Sequence, residues 1–398
     1  MRTTLLFTAL IQFFFIACSK EAIVEISAAE PIVTTIIDSP KEIEITSPIT
    51  EDESYHWLVK MQQPNGLLES TEHSDFVSLY DNALSALLFI ESGEIKRAEH
   101  IFDFFQDKID SELRNGADGF YQYRDKNGEN GSRVWMGDNA WLLIALNTYH
   151  EATGTQKYQE LAENLEGWLR TLQDIDGGLW GGQNEDGTPI TKVTEGIITT
   201  FNAVKGYDDF HKNILTYLNK NRWGEATKVL TAWPENPDYL NALDLHALGQ
   251  MIFEDFPNSN LEQTESLYFT TQWSSISGQE VSGYCFDEDK DVVWLEGTGQ
   301  MATAYNDIGN HEKANALIAE LEKAFIASSM LADTKGLPYT TNYGSTYGAN
   351  LLWDHADTAP AVSSTIWYLF AKMGFNPLKL EKQKNIPESE KFWTSQSI

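Results

Sequence analysis

The sequence predicts an all-α chain folded as an (α/α)6 toroid, a ring of six inner and six outer helices. Three observations predict it. Apolar helix starts recur from residue 51 onward, each start carries an acid, and amphipathic helices of a different kind lie between them. The starts are YDNALSALLFI (Tyr80), GDNAWLLIALNTY (Gly137), TEGIITTFNAV (Thr194), LNALDLHALGQMIF (Leu240), LEGTGQMATAYNDIG (Leu295) and HADTAPAVSSTIWYLFAKMG (His355). Their acids are Asp81, Asp138, Glu195, Asp244, Glu296 and Asp357, spaced 57, 57, 49, 52 and 61 residues apart. A recurring period of this length marks a repeat architecture.

Each repeat pairs two helices. The first is apolar nearly all round and is expected to be buried. The second is half wet: KRAEHIFDFFQDKI, QKYQELAENLEGWLRTLQ and HEKANALIAELEKAF place apolar residues at i, i+3, i+4 and i+7 on one face and charge on the other. Short loops such as ESGE (Glu91–Glu94) and ATGTQ (Ala152–Gln156) make the two helices antiparallel neighbours. The last inner helix, expected near residues 358–373, has no outer helix after it. The segment EDESYHWLVKMQQ (Glu51–Gln63), with Trp57, Leu58 and Met61 on one side, is expected to supply it and close the ring.

Length and composition allow a large core and exclude some partners. The chain has 398 residues and a formal charge of −31, which argues against nucleic acid, a ligand that rewards a basic patch. Twelve Trp, sixteen Tyr and twenty Phe exceed what a helical scaffold needs, and flat rings stack on the apolar faces of ligands, sugars included. Residues 1–17 read as a secretory signal: Arg2, an apolar run from Leu5 to Ala17, then Cys18. The run is short for a membrane span. Phe15-Ile16-Ala17-Cys18 resembles a bacterial lipoprotein box, with Phe15 where Leu is usual; the resemblance implies cleavage before Cys18 and lipidation of its sulfur. Cys285 then has no partner, so no disulfide is expected. Residues 18–50 read as a lipidated cysteine and flexible tether, 51–380 as the toroid and 381–398 as a tail. The expected place is the bacterial cell envelope, periplasmic or surface, touching membrane through the lipid only.

The phrases GDNAWLLIALNTYHEATGTQKY, DGGLWGG, WLEGTGQMATAYNDIG and IWYLFAKMGFNPL resemble bacterial six-hairpin glycosidases, over about residues 51–380. The resemblance implies a carbohydrate cleft ringed by inner-helix N-termini and, for most glycoside hydrolases of that superfamily, inversion at the anomeric carbon.

A lone acid at a helix head is ordinarily a cap. Six acids around one mouth repel one another, and Ser, Thr or Asn would cap without that cost. Repulsion raises pKa values, and a carboxylic acid that keeps its proton near neutrality is what glycosidic cleavage needs. An inverting pair stands roughly 6.5–9.5 Å apart, suited to facing helices. Glu195 and Glu296 are the first catalytic candidates: Glu caps less well than Asp, each precedes a glycine, and Trp294 adjoins Glu296. Asp138, between Trp135 and Trp141, is third and Asp81 fourth. Rings in the Gly-rich loops before the inner helices, Tyr121, Tyr123, Trp180, Tyr284, Tyr339 and Tyr343, are expected to bind substrate together with Trp135, Trp141, Trp294 and Asp357.

No metal or cofactor is expected. DKNGENG (Asp125) and DEDKD (Asp287) begin like calcium loops but lack the Glu at position 12, and the histidines have no metal-ligand spacing. The leading expectation is a monomeric inverting glycoside hydrolase acting on an oligo- or polysaccharide. Two alternatives are a polysaccharide lyase or sugar epimerase on the same toroid, which would want Tyr, His or Arg at the cleft centre, and a non-catalytic glycan-binding lipoprotein. A terpene-cyclase-like toroid is set aside because no DxDD motif accompanies DGGLW.

Overall fold

A computed structural model describes residues 49–347 and 350–394; the expected signal segment, Cys18 and nearly all of the tether lie outside the described residues. Helices alternate as the period predicts. After α1 (Glu53–Met61) come α2 (Leu79–Glu91) and α3 (Ile95–Asp107), α4 (Met136–Thr153) and α5 (Gln159–Thr171), and α6 (Thr194–Ala203) and α7 (Asp209–Asn221). Then follow α8 (Asp244–Ile252), the short α9 (Ser259–Glu262) and α10 (Thr264–Leu267), α11 (Leu295–Asp307), α12 (His311–Glu322) and α13 (Val362–Met373). Each of α2, α4, α6, α8, α11 and α13 packs on the next, and α13 packs back on α2, so the inner ring closes.

Inner and outer helices differ as their patterns require. Every residue of α6 is buried, as is every residue of α2 up to Ile90. Among its apolar residues α3 buries Ala98, Ile101, Phe102 and Phe105, the i, i+3, i+4, i+7 stripe, and α5 buries only Leu161, Leu165 and Leu169. Burial of each such large side chain stabilises the ring by about 1.5–3 kcal/mol. The fourth outer position is held by two short helices that meet at Gln263.

The N-terminal helix does close the ring. Trp57 and Leu58 of α1 are fully buried, and α1 packs on α13. Asp52, the N-cap of α1, accepts an ion-paired hydrogen bond from Lys372 Nζ at the end of α13, at 2.7 Å. Trp57 Nε1 donates to Glu72 at 2.8 Å.

The chain departs from its sequence reading at three places. The fourth inner helix begins at Asp244, because Pro237–Tyr239 forms a 3-10 turn instead of helix near Leu240. The last begins at Val362, seven residues after His355. Trp353 and His355 adopt left-handed backbone angles, φ 52° and 56°, and Pro360 disfavours helix at Ala359, so HADTAP is loop. The expected tail also belongs to the body up to Thr394. Lys384 Nζ donates to Val204 O, just past α6, at 2.6 Å, and the buried Trp393 donates to Glu254 O, just past α8, at 2.9 Å. Residues 376–394 therefore cover the C-terminal end of the ring, where a lysine also meets the negative end of a helix.

Small sheets organise the opposite end. Strands β1 (Val77–Ser78), β2 (Tyr121–Arg124), β3 (Ser132–Trp135), β4 (Gly182–Gln183) and β5 (Pro189–Ile190) form an antiparallel meander. β1 runs into α2, β3 into α4, and β5 leads to α6, so the sheet stitches together the heads of three inner helices. Cys285 is buried and free.

Ring closure by α1 is testable. Trp57→Ala, which empties a fully buried site, is expected to cost about 3–5 kcal/mol in chemical denaturation. The exposed Lys60→Ala should cost under about 0.5 kcal/mol. Equal stability of the two variants would remove α1 from the ring.

Candidate active site

Asp81, Asp138, Glu195, Asp244 and Glu296 all stand in the first turns of α2, α4, α6, α8 and α11. Their exposures lie between 0 and 2%. They share one centre: the Asp81 charge acts on Asp138 and Glu296, and the charges of Asp244, Asp138 and Glu296 all act on Glu195. The sixth position is not an acid. Ser363, in the first turn of α13, occupies it and donates to Glu296 Oε2 at 2.8 Å. Asp357 lies outside the ring, in the loop before α13, where its carboxylate accepts from Ser275 Oγ. It braces two loops and does not join the site.

Capping does not account for this set. Ser78 caps α2, accepting from the Asp81 N–H at 3.4 Å. The residues before α4, α6 and α11 are Trp135, Val193 and Trp294, with no side-chain cap. Asp138 Oδ1 accepts from Gln122 Nε2 at 3.3 Å and its Oδ2 has no partner. Glu195 Oε1 accepts from Thr199 at 2.9 Å, while its unpartnered Oε2 lies so close to Gly137 that a Cβ there would be 2.9 Å away. Asp244 alone of the five bonds a neighbouring amide of its own helix, Leu245 N–H at 2.8 Å. Glu296 is held hardest: Tyr80 OH at 2.8 Å and Gln300 Nε2 at 3.2 Å on Oε1, Ser363 on Oε2. Neither oxygen of Asp81 has a hydrogen-bond partner.

Burial is the largest influence on all five pKa values. It pushes Asp81 and Asp244 up to about 7 and Glu296 to about 8. For Asp81 the nearby hydroxyls of Ser70 and Ser363, outside hydrogen-bond geometry, pull back against burial. Burial and then neighbouring carboxylates raise Asp138 and Glu195 well above the carboxylate range. Arg133 opposes the shift at Asp138. This strand residue has φ 55° and carries its guanidinium 5.7 Å from the Trp135 ring centre.

A cavity of about 270 Å³ opens over Asp81, which alone of the five acids lines it. Its walls include Phe76, Tyr123, Tyr339 and Trp353. Two of the expected substrate rings, Tyr123 and Tyr339, thus line the cavity, and the exposed Tyr343 stands edge-on to His355 at the rim. The other expected rings are not at the cavity. Trp141 is fully buried beneath the acids, edge-on to Tyr80 and Trp367. Trp135 is buried beside Gly137. Trp294 is buried under Trp353, stacked at 5.2 Å. Tyr284 is buried with its hydroxyl donating to Glu265. Tyr121 packs on Gly131 and Arg124, and Trp180 lies on the surface 5.1 Å from Lys192 Nζ. Apolar character equips a ring for core and for subsite alike, and these rings went to the core. Trp353 and Phe76 are the walls that sequence reasoning missed.

A second missed signal is the asparagine after each of the first two acids. Asn82 accepts from Leu68 N–H at 2.9 Å and donates to Leu68 O and Ser78 O. Asn139 repeats this pattern on Phe120 N–H, Phe120 O and Trp135 O. Each amide clamps the loop ahead of its helix, so the recurring phrase Asp-Asn-Ala assigns support to the Asn and leaves the Asp facing the centre. The glycines of those loops, Gly66 and again Gly177 in the third repeat, have φ near 90°, and an added Cβ would strike an outer-helix carbonyl at 2.2–2.3 Å.

Among the described residues, Cys285, Asp287 and Asp289 bring one ligand atom each within 4.8 Å of one another. Asp287 and Asp289 there accept from the amides of Asp289 and Asp291, so the loop braces itself.

Solved structures share this architecture. An α-amylase from Clostridium perfringens aligns with TM-score 0.61 over 84% of this chain and 100% of its own, at 14% identity. A sugar epimerase from a ruminal bacterium aligns at 0.55 over 82% and 97%, at 11% identity. An α-1,6-mannanase of Salegentibacter, an inactive variant with two Asp-to-Asn changes in complex with α-1,6-mannotriose, aligns at 0.51 over 81% and 98%, at 12% identity. No protein-family model and no curated protein matches the chain. At these identities the likeness establishes the fold, a toroid of paired helices.

The buried acids set the pH dependence of stability. Each holds its proton more tightly folded than unfolded, where carboxyls titrate near 4. Unfolding therefore releases protons between about pH 4 and 8. The stability these acids contribute is complete below that window and falls as pH rises through it, by roughly 1.4 kcal/mol per pH unit for each group that ionises only on unfolding. The buried His246, lowered to about 4, opposes this more weakly at the acid end because it is one group against five. Calorimetry should find Tm falling from pH 5 to pH 8, and Asp81→Asn should make the fall shallower and raise Tm at pH 8. A wild-type Tm that stays level or climbs across this range contradicts the assignment.

Proposed function

We propose that the protein is a carbohydrate-active enzyme, an inverting glycoside hydrolase acting on an oligo- or polysaccharide. One observation carries this reading: five inner helices bring buried carboxyls with raised pKa values to one centre, and one of them, Asp81, faces a cavity walled by aromatic rings. Asp81 is the general acid. With a pKa of about 7 it holds a proton near neutrality and gives it to the glycosidic oxygen as the carbon–oxygen bond breaks. Asp138 is the partner carboxylate: it takes a proton from water as the water oxygen bonds the anomeric carbon from the opposite face. With Asp81 protonated its repulsion of Asp138 is gone, and Arg133 then favours the ionised form of Asp138 against the burial that raises its pKa. Glu195 and Glu296, the first candidates by sequence, are no deeper than Asp138 but are engaged elsewhere, one against Gly137 and one fastened by three side chains. Their part is to shape the field around the reacting pair.

The lyase and epimerase readings want Tyr, His or Arg at the centre. Tyr123, Tyr339 and His355 do line the cavity, but Asp354 beside them and the lack of a lining Lys or Arg disfavour the carboxylate-bearing sugar a lyase needs. His246 is turned away, its Nδ1 on Asn260 O at 2.7 Å and its Nε2 toward Tyr268. The names of the aligned structures, an amylase, an epimerase and a mannanase, all concern sugars and support the substrate class. The cell-envelope anchor at Cys18 forms part of the same proposal.

Proton NMR of the first product from a glycan panel should show the inverted anomer. Asp81→Asn should lower kcat by about 10²–10⁴-fold, and kcat/KM of the native enzyme should fall above pH ~7 as Asp81 loses its proton. A retained anomer removes the inverting mechanism. Binding without turnover makes the protein a glycan-binding lipoprotein. In the full chain, Cys18→Ser should abolish incorporation of a palmitate analogue, and undiminished labelling would remove the anchor.

A further inference from the structure

Among the described residues, the cavity over Asp81 is the opening that an acid of the ring lines. Trp353 lines the cavity over Asp81 and stacks on Trp294, the residue before α11, with planes 22° apart. Phe286 stands edge-on to both at 5.1 and 5.4 Å. Tyr347 meets Phe286 at 4.9 Å and Tyr239 at 4.8 Å. Phe286 O accepts from Leu243 N–H just ahead of α8. This aromatic roof therefore lies over the heads of α8 and α11, and Asp244 and Glu296 beneath it are 0% and 1% exposed. A polymer lying through the site would have to pass where the roof stands.

The open side is small and uncharged by cations. Its volume of about 270 Å³ falls just under the roughly 300–1,000 Å³ of ordinary small-molecule sites, room for about one sugar ring. Serine and threonine hydroxyls, Ser70, Thr71, Ser74 and Thr358, offer hydrogen bonds suited to a polyol. No Lys or Arg lines it to pair with a uronate, and Asp354 at its wall would repel one.

We infer that the site takes a chain end: one uncharged terminal sugar residue fills the cavity, and the bond joining it to the rest of the glycan lies at Asp81. The enzyme then releases single units and does not cut internally, because the Trp353–Trp294 roof closes the far half of the ring. This inference rests on the hydrolase reading but is tested apart from it.

Linear malto- and α-1,6-manno-oligosaccharides of two to six units, labelled at the reducing end, are followed by chromatography. Monosaccharide is expected as the sole early product, with chains shortening one unit at a time. Trp353→Ala is expected to add internal cleavage products. Early internal fragments from the native enzyme overturn the inference while leaving a hydrolase. Binding supplies the second arm. Asp81→Asn protein should bind linear maltohexaose or mannohexaose at least ten-fold more tightly than a six-unit cyclic glucan, which has no end. Free glucose or mannose should compete, and glucuronate should not. End-selective binding without turnover in the native enzyme sinks the hydrolase reading and leaves chain-end capture standing. Equal binding of linear and cyclic glycans, equal competition by glucuronate, or no binding of either sugar class overturns the inference.

Discussion

Carboxyl groups at the heads of helices in a closed ring have nowhere to go but toward one another. Parallel inner helices point their first turns at a common centre, and the loops above keep water out. Two unit charges 7 Å apart repel by about 2 kcal/mol at an effective dielectric of 20, and five carboxylates would multiply that pair by pair. Proton retention is the cheapest relief: burial raises all five acids, and the charges of the others add to it at Asp138, Glu195 and Glu296. Helix N-termini offset the repulsion in part, and Arg133 does so at Asp138. Proton inventory and the pH dependence of stability are thus two consequences of one arrangement, and the proposed acid–base chemistry rests on the same one.

Support and chemistry are divided between neighbouring side chains. Asn82 and Asn139 fasten the loops, so that Asp81 and Asp138 do not spend their oxygens on the backbone. Below them Trp367 Nε1 donates to Tyr80 OH at 2.7 Å, and Tyr80 OH donates to Glu296. That relay ties the packed floor to Glu296 and orients it. At the far end, residues 376–394 cover the helix C-termini, which leaves the N-terminal mouth as the end where the acids meet an opening.

The sequence reading held where the signal was local and failed where it depended on distant loops. The stripe of α3 and the all-round apolarity of α6 are set by residues within a few positions of one another, and both helices formed as written. Asp357 continued the period by count, yet Pro360 and the left-handed Trp353 and His355 moved the helix start past it, and Ser363 took the place. The phrase Asp-Asn-Ala was in plain view twice, but its Asn acquires meaning only once Leu68 and Phe120 are folded against it.

Periodicity by itself determined the alternation of buried and half-wet helices and acids at five helix heads, because each follows from side-chain spacing along a helix; the closing role of α1 followed from counting the repeats, which left the last inner helix without an outer partner. Tertiary structure decided which acid meets open space and which rings wall it. Trp141 and Trp294 are as aromatic as Tyr339 and Trp353, and what separates floor from wall is the layer above them. That layer is built by loops from other repeats, and depth in a protein is a property of everything packed around a residue, which no local stretch of sequence contains.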